Sequence, residues 1–113
     1  MITIKDSSYK VLLVIQDGYV KEFSGRILYK YDTNYLKEFS GMIKYKFDFD
    51  TLCEFSGRSL YKIDGNDVKD MSYRILYRFD GGYITNFGGQ IQYIIDGYPN
   101  RTEKLVILAC LLA

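Results

Sequence analysis

The chain repeats itself every sixteen residues, and that period constrains the fold more than any other feature. Phe23, Phe39, Phe55, Met71 and Phe87 stand sixteen apart, as do Tyr29, Tyr45, Tyr61, Tyr77 and Tyr93. Asp32, Asp48, Asp64, Asp80 and Asp96 keep the same step. So do Gly25, Gly41, Gly57 and Gly89, with Tyr73 in the one place where a glycine is missing. Five full units cover residues 16–95. Residues 1–15 form a degenerate first unit, in which Lys10-Val-Leu-Leu-Val-Ile15 aligns with Arg26-Ile-Leu-Tyr-Lys-Tyr31. A short fixed period means that each unit is one small motif that buries its apolar side only against its neighbours.

Sixteen residues hold two short strands and two turns. The first strand reads Tyr19-Val-Lys-Glu-Phe23 and the second Arg26-Ile-Leu-Tyr-Lys-Tyr31. Between them Ser24-Gly25 is predicted to be a two-residue hairpin turn, with glycine supplying the positive φ that such turns require. The connection after the second strand carries the repeated aspartate, whose side chain can bond backbone amides two residues on. Loops this short leave no room for a parallel crossover, so the chain is predicted to be an antiparallel meander of roughly ten to twelve strands. Twelve Tyr and seven Phe against one Pro and no Trp agree with this, because aromatic side chains suit a pleated surface. At 113 residues the chain is expected to form one domain, 1–113, with a core of its own.

Period-two alternation assigns the faces. If Phe23 pairs with Arg26, Val20 falls opposite Tyr29 and Glu22 opposite Ile27. The buried face then collects Val20, Ile27, Tyr29 and Tyr31, with Leu36, Ile43, Tyr45, Phe47, Leu52, Tyr61 and Ile63 as equivalents. The wet face carries Lys21, Phe23, Leu28 and Lys30, its lysine stems lying over apolar neighbours. Phe39 conflicts with this scheme: alternation sets it among the lysines. Either the outer face is partly covered there, or a bulge turns the side chain inward. A sheet of so many strands must curl or close. The predicted fold is therefore mainly β, a strongly curved or closed, flower-like or barrel-like arrangement, with the N-terminal strand paired to the last hairpin. An open single-layer sheet is the alternative, because both faces carry aromatics.

The repeats end at Asp96-Gly-Tyr-Pro-Asn100. Asn100 followed by Glu103 has the spacing of a helix N-cap with its capping-box partner. Leu105 to Ala113 then contains no polar side chain apart from the Cys110 thiol. A helix over Arg101–Ala113, about 20 Å long and apolar all round, has to be buried. A final buried strand is the rival reading. Burial could be in the mouth of the sheet or against a second subunit, which makes Leu105, Leu108, Leu111 and Leu112 candidate oligomer contacts.

The chemistry is sparse. There is no histidine, so the commonest general base and metal ligand are both missing. Cys53 and Cys110 form no CxxC pair, and free thiols fit a cytoplasmic location. Met1-Ile-Thr-Ile-Lys has no basic n-region followed by an apolar stretch, and no apolar run reaches the ~20 residues of a spanning helix. Repeated carboxylates give each copy nearly the same environment, whereas acid–base catalysis needs two different ones. The glycine pairs are followed by no Lys-Ser or Lys-Thr. Hence no enzyme activity, cofactor or metal site is expected. Fifteen basic residues against fourteen acidic ones leave a net charge of +1, which ranks nucleic acid last among partners. The expectation is a binding or protein-interaction module, with Tyr29, Tyr45, Tyr61, Tyr77 and Tyr93 as the candidate surface for an unknown protein or small apolar ligand. The alternative is a structural, homo-oligomerising protein assembled through its apolar C-terminal segment.

The phrases Asp80-Gly-Gly-Tyr83 and Phe23-Ser-Gly-Arg-Ile-Leu-Tyr29 resemble the hairpin repeats of bacterial four-fold β-flower proteins, over residues 10–98. That resemblance implies a bacterial source and hairpins set radially about an axis, four there against five full units here. The Tyr31-Asp32 pair bears a weaker likeness to RHS/YD repeats, whose unit is longer and whose shells contain many more copies. Neither likeness brings an activity or site residues with it.

Overall fold

The computed structural model describes all 113 residues. Its strands are β1 (Ile2–Asp6), β2 (Val11–Gln16), β3 (Tyr19–Lys21), β4 (Ile27–Tyr31), β5 (Tyr35–Glu38) and β6 (Ile43–Asp48). They continue as β7 (Thr51–Glu54), β8 (Ser59–Asp64), β9 (Asp67–Lys69), β10 (Ile75–Asp80), β11 (Tyr83–Asn86) and β12 (Ile91–Asp96), followed by helix α1 (Arg101–Leu111). Each strand pairs antiparallel with its chain neighbours, and β1 also pairs with β12 through Thr3↔Asp96, Ile4↔Ile95, Lys5↔Ile94 and Asp6↔Tyr93. The meander is therefore a closed barrel without a free edge. The stretch read as a degenerate first unit forms a full hairpin, β1–β2, so six hairpins stand around the axis.

Turn chemistry explains the hairpins, with a correction to the expected pairing. Glu22 N–H donates to Arg26 O and Gly25 N–H to Glu22 O, both at 2.9 Å. The loop is therefore three residues long, Phe23-Ser24-Gly25, a tight turn closed by a glycine at φ +92°. Phe23 does not pair with Arg26; it sits in the loop. The same bonds recur between Glu38 and Met42, Glu54 and Arg58, Asp70 and Arg74, and Asn86 and Gln90. Two-residue turns lie at the other end instead. Gln16↔Tyr19, Asp48↔Thr51, Asp64↔Asp67 and Asp80↔Tyr83 flank them. Of the repeated aspartates, Asp32 bonds amides as expected, accepting from Asn34 and Tyr35 N–H at 2.8 Å.

A bulge in every hairpin corrects the faces. Val20 pairs with Tyr29 as expected, but Lys21 then pairs with Ile27, leaving Leu28 as an extra residue. Equivalent shifts occur at Leu12, Lys44, Leu60, Leu76 and Gln92. One extra residue inverts the alternation beyond it. Ile27 and Ile43 therefore share the outer face with Lys21 and Lys37, and Glu22 does not oppose Ile27. Leu28, assigned to the wet face by strict alternation, packs against the core. Bulges also bend a strand and increase its twist, which six repetitions convert into closure.

The barrel encloses the helix. Ile4, Ile15, Val20, Leu36, Leu52, Val68 and Ile84 face inward and are fully buried, as are Val106, Ile107 and Leu108. Leu105, Val106, Ile107 and Leu108 follow one another at about 100° per residue, so their joint burial means that protein surrounds the helix on every side. The predicted cap is present. Asn100 Oδ1 accepts from Glu103 N–H at 2.8 Å, and Glu103 Oε1 accepts from Asn100 N–H at 2.9 Å. The Arg101 guanidinium stacks 3.7 Å above the centre of Phe49, in the turn between β6 and β7, and anchors the helix start at the two-residue-turn end. At eleven residues α1 is not long enough to cross a membrane. The molecule is a disc of 37 × 33 × 18 Å.

Candidate functional site

Two surfaces are built by the repeat, one on each side of the barrel wall. The inner one contains the repeated tyrosines. Tyr29, Tyr45, Tyr61, Tyr77 and Tyr93 pair across from inward-facing residues such as Val20, Leu36, Leu52, Val68 and Ile84. All five are half-buried and pack against the core. Tyr61 O–H donates to the carbonyl of Leu112 at 2.8 Å, satisfying a backbone acceptor just beyond the helix that would otherwise lack a partner. Burial, with the neighbouring Tyr77 and Tyr45 hydroxyls, pushes the Tyr61 phenol above its ordinary range. The helix thus occupies the space that a central tyrosine-lined pocket would need.

The tail residues divide in the same way. Leu105 and Leu108 are buried inside the barrel, while Leu111 and Leu112 are half-buried at its mouth. There Lys44, Tyr45, Glu54, Leu60, Tyr61 and Leu112 line an open depression of about 420 Å³. Lys44, the extra residue of its bulge, supplies a positive charge near the negative end of the helix. Burial pushes the Cys110 thiol up to about 12, against the opposing pull of Lys44. A thiol so far from ionisation is a poor nucleophile.

The outer wall carries a different set. Lys21, Lys30, Lys37, Lys46, Lys62, Lys69 and Arg78 all face out from β3 to β10, as their cross-strand partners show. Three of them are neutralised by the aspartates of the turns: Lys37 by Asp32 at 3.9 Å, Lys69 by Asp64 at 2.7 Å and Arg78 by Asp67 at 2.8 Å. The bonded Lys69 ammonium holds the Asp64 carboxyl below the usual carboxylate range, and Asp64 in turn raises Lys69. Lys21, Lys30, Lys46 and Lys62 have no acidic partner within 4.0 Å.

Three of these free lysines meet aromatic side chains of the three-residue loops. Lys30 Nζ lies 5.0 Å from the centre of Phe39, Lys46 5.3 Å from Phe55, and Lys62 5.8 Å from Tyr73. The loop residues Phe23, Phe39, Phe55, Met71 and Phe87 are all exposed. Phe39 and Phe55 are 61% and 59% exposed, whereas Phe23 and Phe87, which lack such a lysine, reach 79% and 80%. This settles the conflict at Phe39: its side chain sits at a loop apex, where it meets the outer lysine, and does not turn inward. Alternation missed it because it places a residue in a strand that ends one position earlier. The signal was the glycine, third in the loop in four of the six hairpins and set two residues before the next strand.

No family model, no curated protein and no solved structure matches this chain.

Proposed function

We propose that the chain is a non-enzymatic binding module whose binding surface is the outside of the barrel, at the apices Phe23, Phe39, Phe55, Met71 and Phe87. One observation carries this reading. The hairpin β1–β2 has Ser7 at the apical position and forms the same turn, with Asp6 N–H donating to Lys10 O at 2.9 Å. The turn therefore does not need a large apolar residue, yet five of six hairpins expose one. Exposed aromatics on short loops of a rigid scaffold are the usual anchors of recognition, and a repeat of weak contacts gains strength through multivalency. The alternative of assembly through the apolar C-terminal segment has Leu111 and Leu112 as its accessible residues.

The test combines Phe23→Ser, Phe39→Ser, Phe55→Ser and Phe87→Ser in one chain. Binding is measured on an immobilised panel of phosphatidylcholine vesicles, a peptide library, and neutral and charged glycans. Each exposed substitution should change stability by no more than about 0.5 kcal/mol, while the probes that retain the parent chain release the variant. A variant that keeps all binding, or a parent that binds nothing on the panel, overturns the reading.

A further inference from the structure

Resting on that binding-module reading, we infer that the outer wall from β4 to β8 takes an acidic polysaccharide, one carboxylate falling on each of Lys30, Lys46 and Lys62. These three lysines occupy equivalent places in consecutive hairpins. Two strand spacings separate each from the next, about 10 Å along the wall, which corresponds to a two-sugar repeat of an extended glycan. Beside each lysine stands an exposed aromatic: Phe39, Phe55 or Tyr73. An apolar pyranose face can lie on such a side chain while the sugar's carboxylate reaches the ammonium next to it. The unit of recognition is thus one lysine and one aromatic, used three times.

Two further features favour an anion of this spacing. Lys30 stands directly opposite Lys37, and Lys62 directly opposite Lys69. Lys37 and Lys69 are held by Asp32 and Asp64, so in each facing pair Lys30 or Lys62 is the member left free to meet an external carboxylate. Carboxylates also bound the row on both sides. Asp32, Asp48 and Asp64 lie at the two-residue turns, with Glu22, Glu38 and Glu54 at the three-residue loops. The positive strip is therefore narrow and its charges are sparse. A nucleic acid strand carries a phosphate at every residue, more closely spaced than these lysines, so part of its phosphates would find no free ammonium. A chain with one charge per two sugars meets only lysines.

The full-length protein is tested by biolayer interferometry on hyaluronan, which has one carboxylate per two sugars, on neutral dextran, and on oligothymidylate. Hyaluronan should retain it, and added salt should weaken that binding. Lys30→Gln, Lys46→Gln and Lys62→Gln together should weaken it by about tenfold or more, and the three corresponding Arg replacements should preserve it. The Gln variant loses no ion pair, because none of the three lysines has an acidic partner, so its melting temperature should stay close to the parent's; this separates lost binding from lost fold. Equal retention on dextran would remove any role for the lysines, and equal or tighter retention on oligothymidylate would assign the wall to phosphate. Absence of binding to hyaluronan would also overturn the inference. None of these outcomes touches the broader reading, which stands or falls on the Phe→Ser chain and the other probes.

Discussion

Tyr73 holds the position that glycine fills in four of the other hairpins, and it does so at φ +64°. Tyr9 does the same in the first hairpin at φ +68°. A side chain with a Cβ resists this left-handed conformation, so these two loops keep strain that Gly25, Gly41, Gly57 and Gly89 avoid. Tyr73 gains something in return, since its aromatic face receives Lys62 at 5.8 Å. An exposed contact of that kind contributes about 0.5 kcal/mol, less than the roughly 1–3 kcal/mol by which the conformation is disfavoured. Tyr73→Gly is therefore expected to stabilise the protein by about 1 kcal/mol, seen as a higher melting temperature in calorimetry. A lower one would mean that the aromatic does more for the fold than its exposure indicates.

At the scale of the elements, the strands and the helix were readable because their signals are local. Sixteen-residue spacing sets the hairpins, and Asn100 with Glu103 sets the start of α1. The bulge was not readable, for a physical reason. Ile27 and Leu28 are adjacent and both apolar, so hydrophobicity does not say which of them points inward. Backbone hydrogen bonding decides it by setting two residues against Lys21. The candidate site suffered from the same error: a loop one residue longer moves Phe23, Phe39 and Phe55 from a strand face to an apex. The helix start admits a direct test. Asn100 is exposed and its side chain serves only the cap, so Asn100→Ala should cost about 1 kcal/mol in urea unfolding without altering the slope. A loss near zero would show that the barrel positions the helix unaided.

Closure and the helix depend on each other at the scale of the whole molecule. Eight strands make a barrel that side chains alone can fill, and diameter grows with strand number. Twelve strands leave a lumen, and α1 fills it with Leu105, Val106, Ile107 and Leu108. An apolar tail and a large barrel would each be unstable without the other. The sequence showed the tail and the curvature separately; their fit depends on strand number, which the faint first unit obscured. The seam of the barrel is the pairing of β1 with β12, the only ladder that joins the two ends of the meander. Removing residues 1–9 would therefore leave β2 and β12 with unpaired edges and take Ile2 and Ile4 out of the core. Unpaired edges recruit other chains, so the shortened protein should sediment as associated species. A synthetic peptide of residues 1–9 supplied in excess should return part of it to monomer, by restoring the missing strand. Should the shortened chain sediment as a monomer with unchanged melting temperature, closure through β1 would contribute nothing, and the stability of the barrel would have to come from the helix and the sequential hairpins alone.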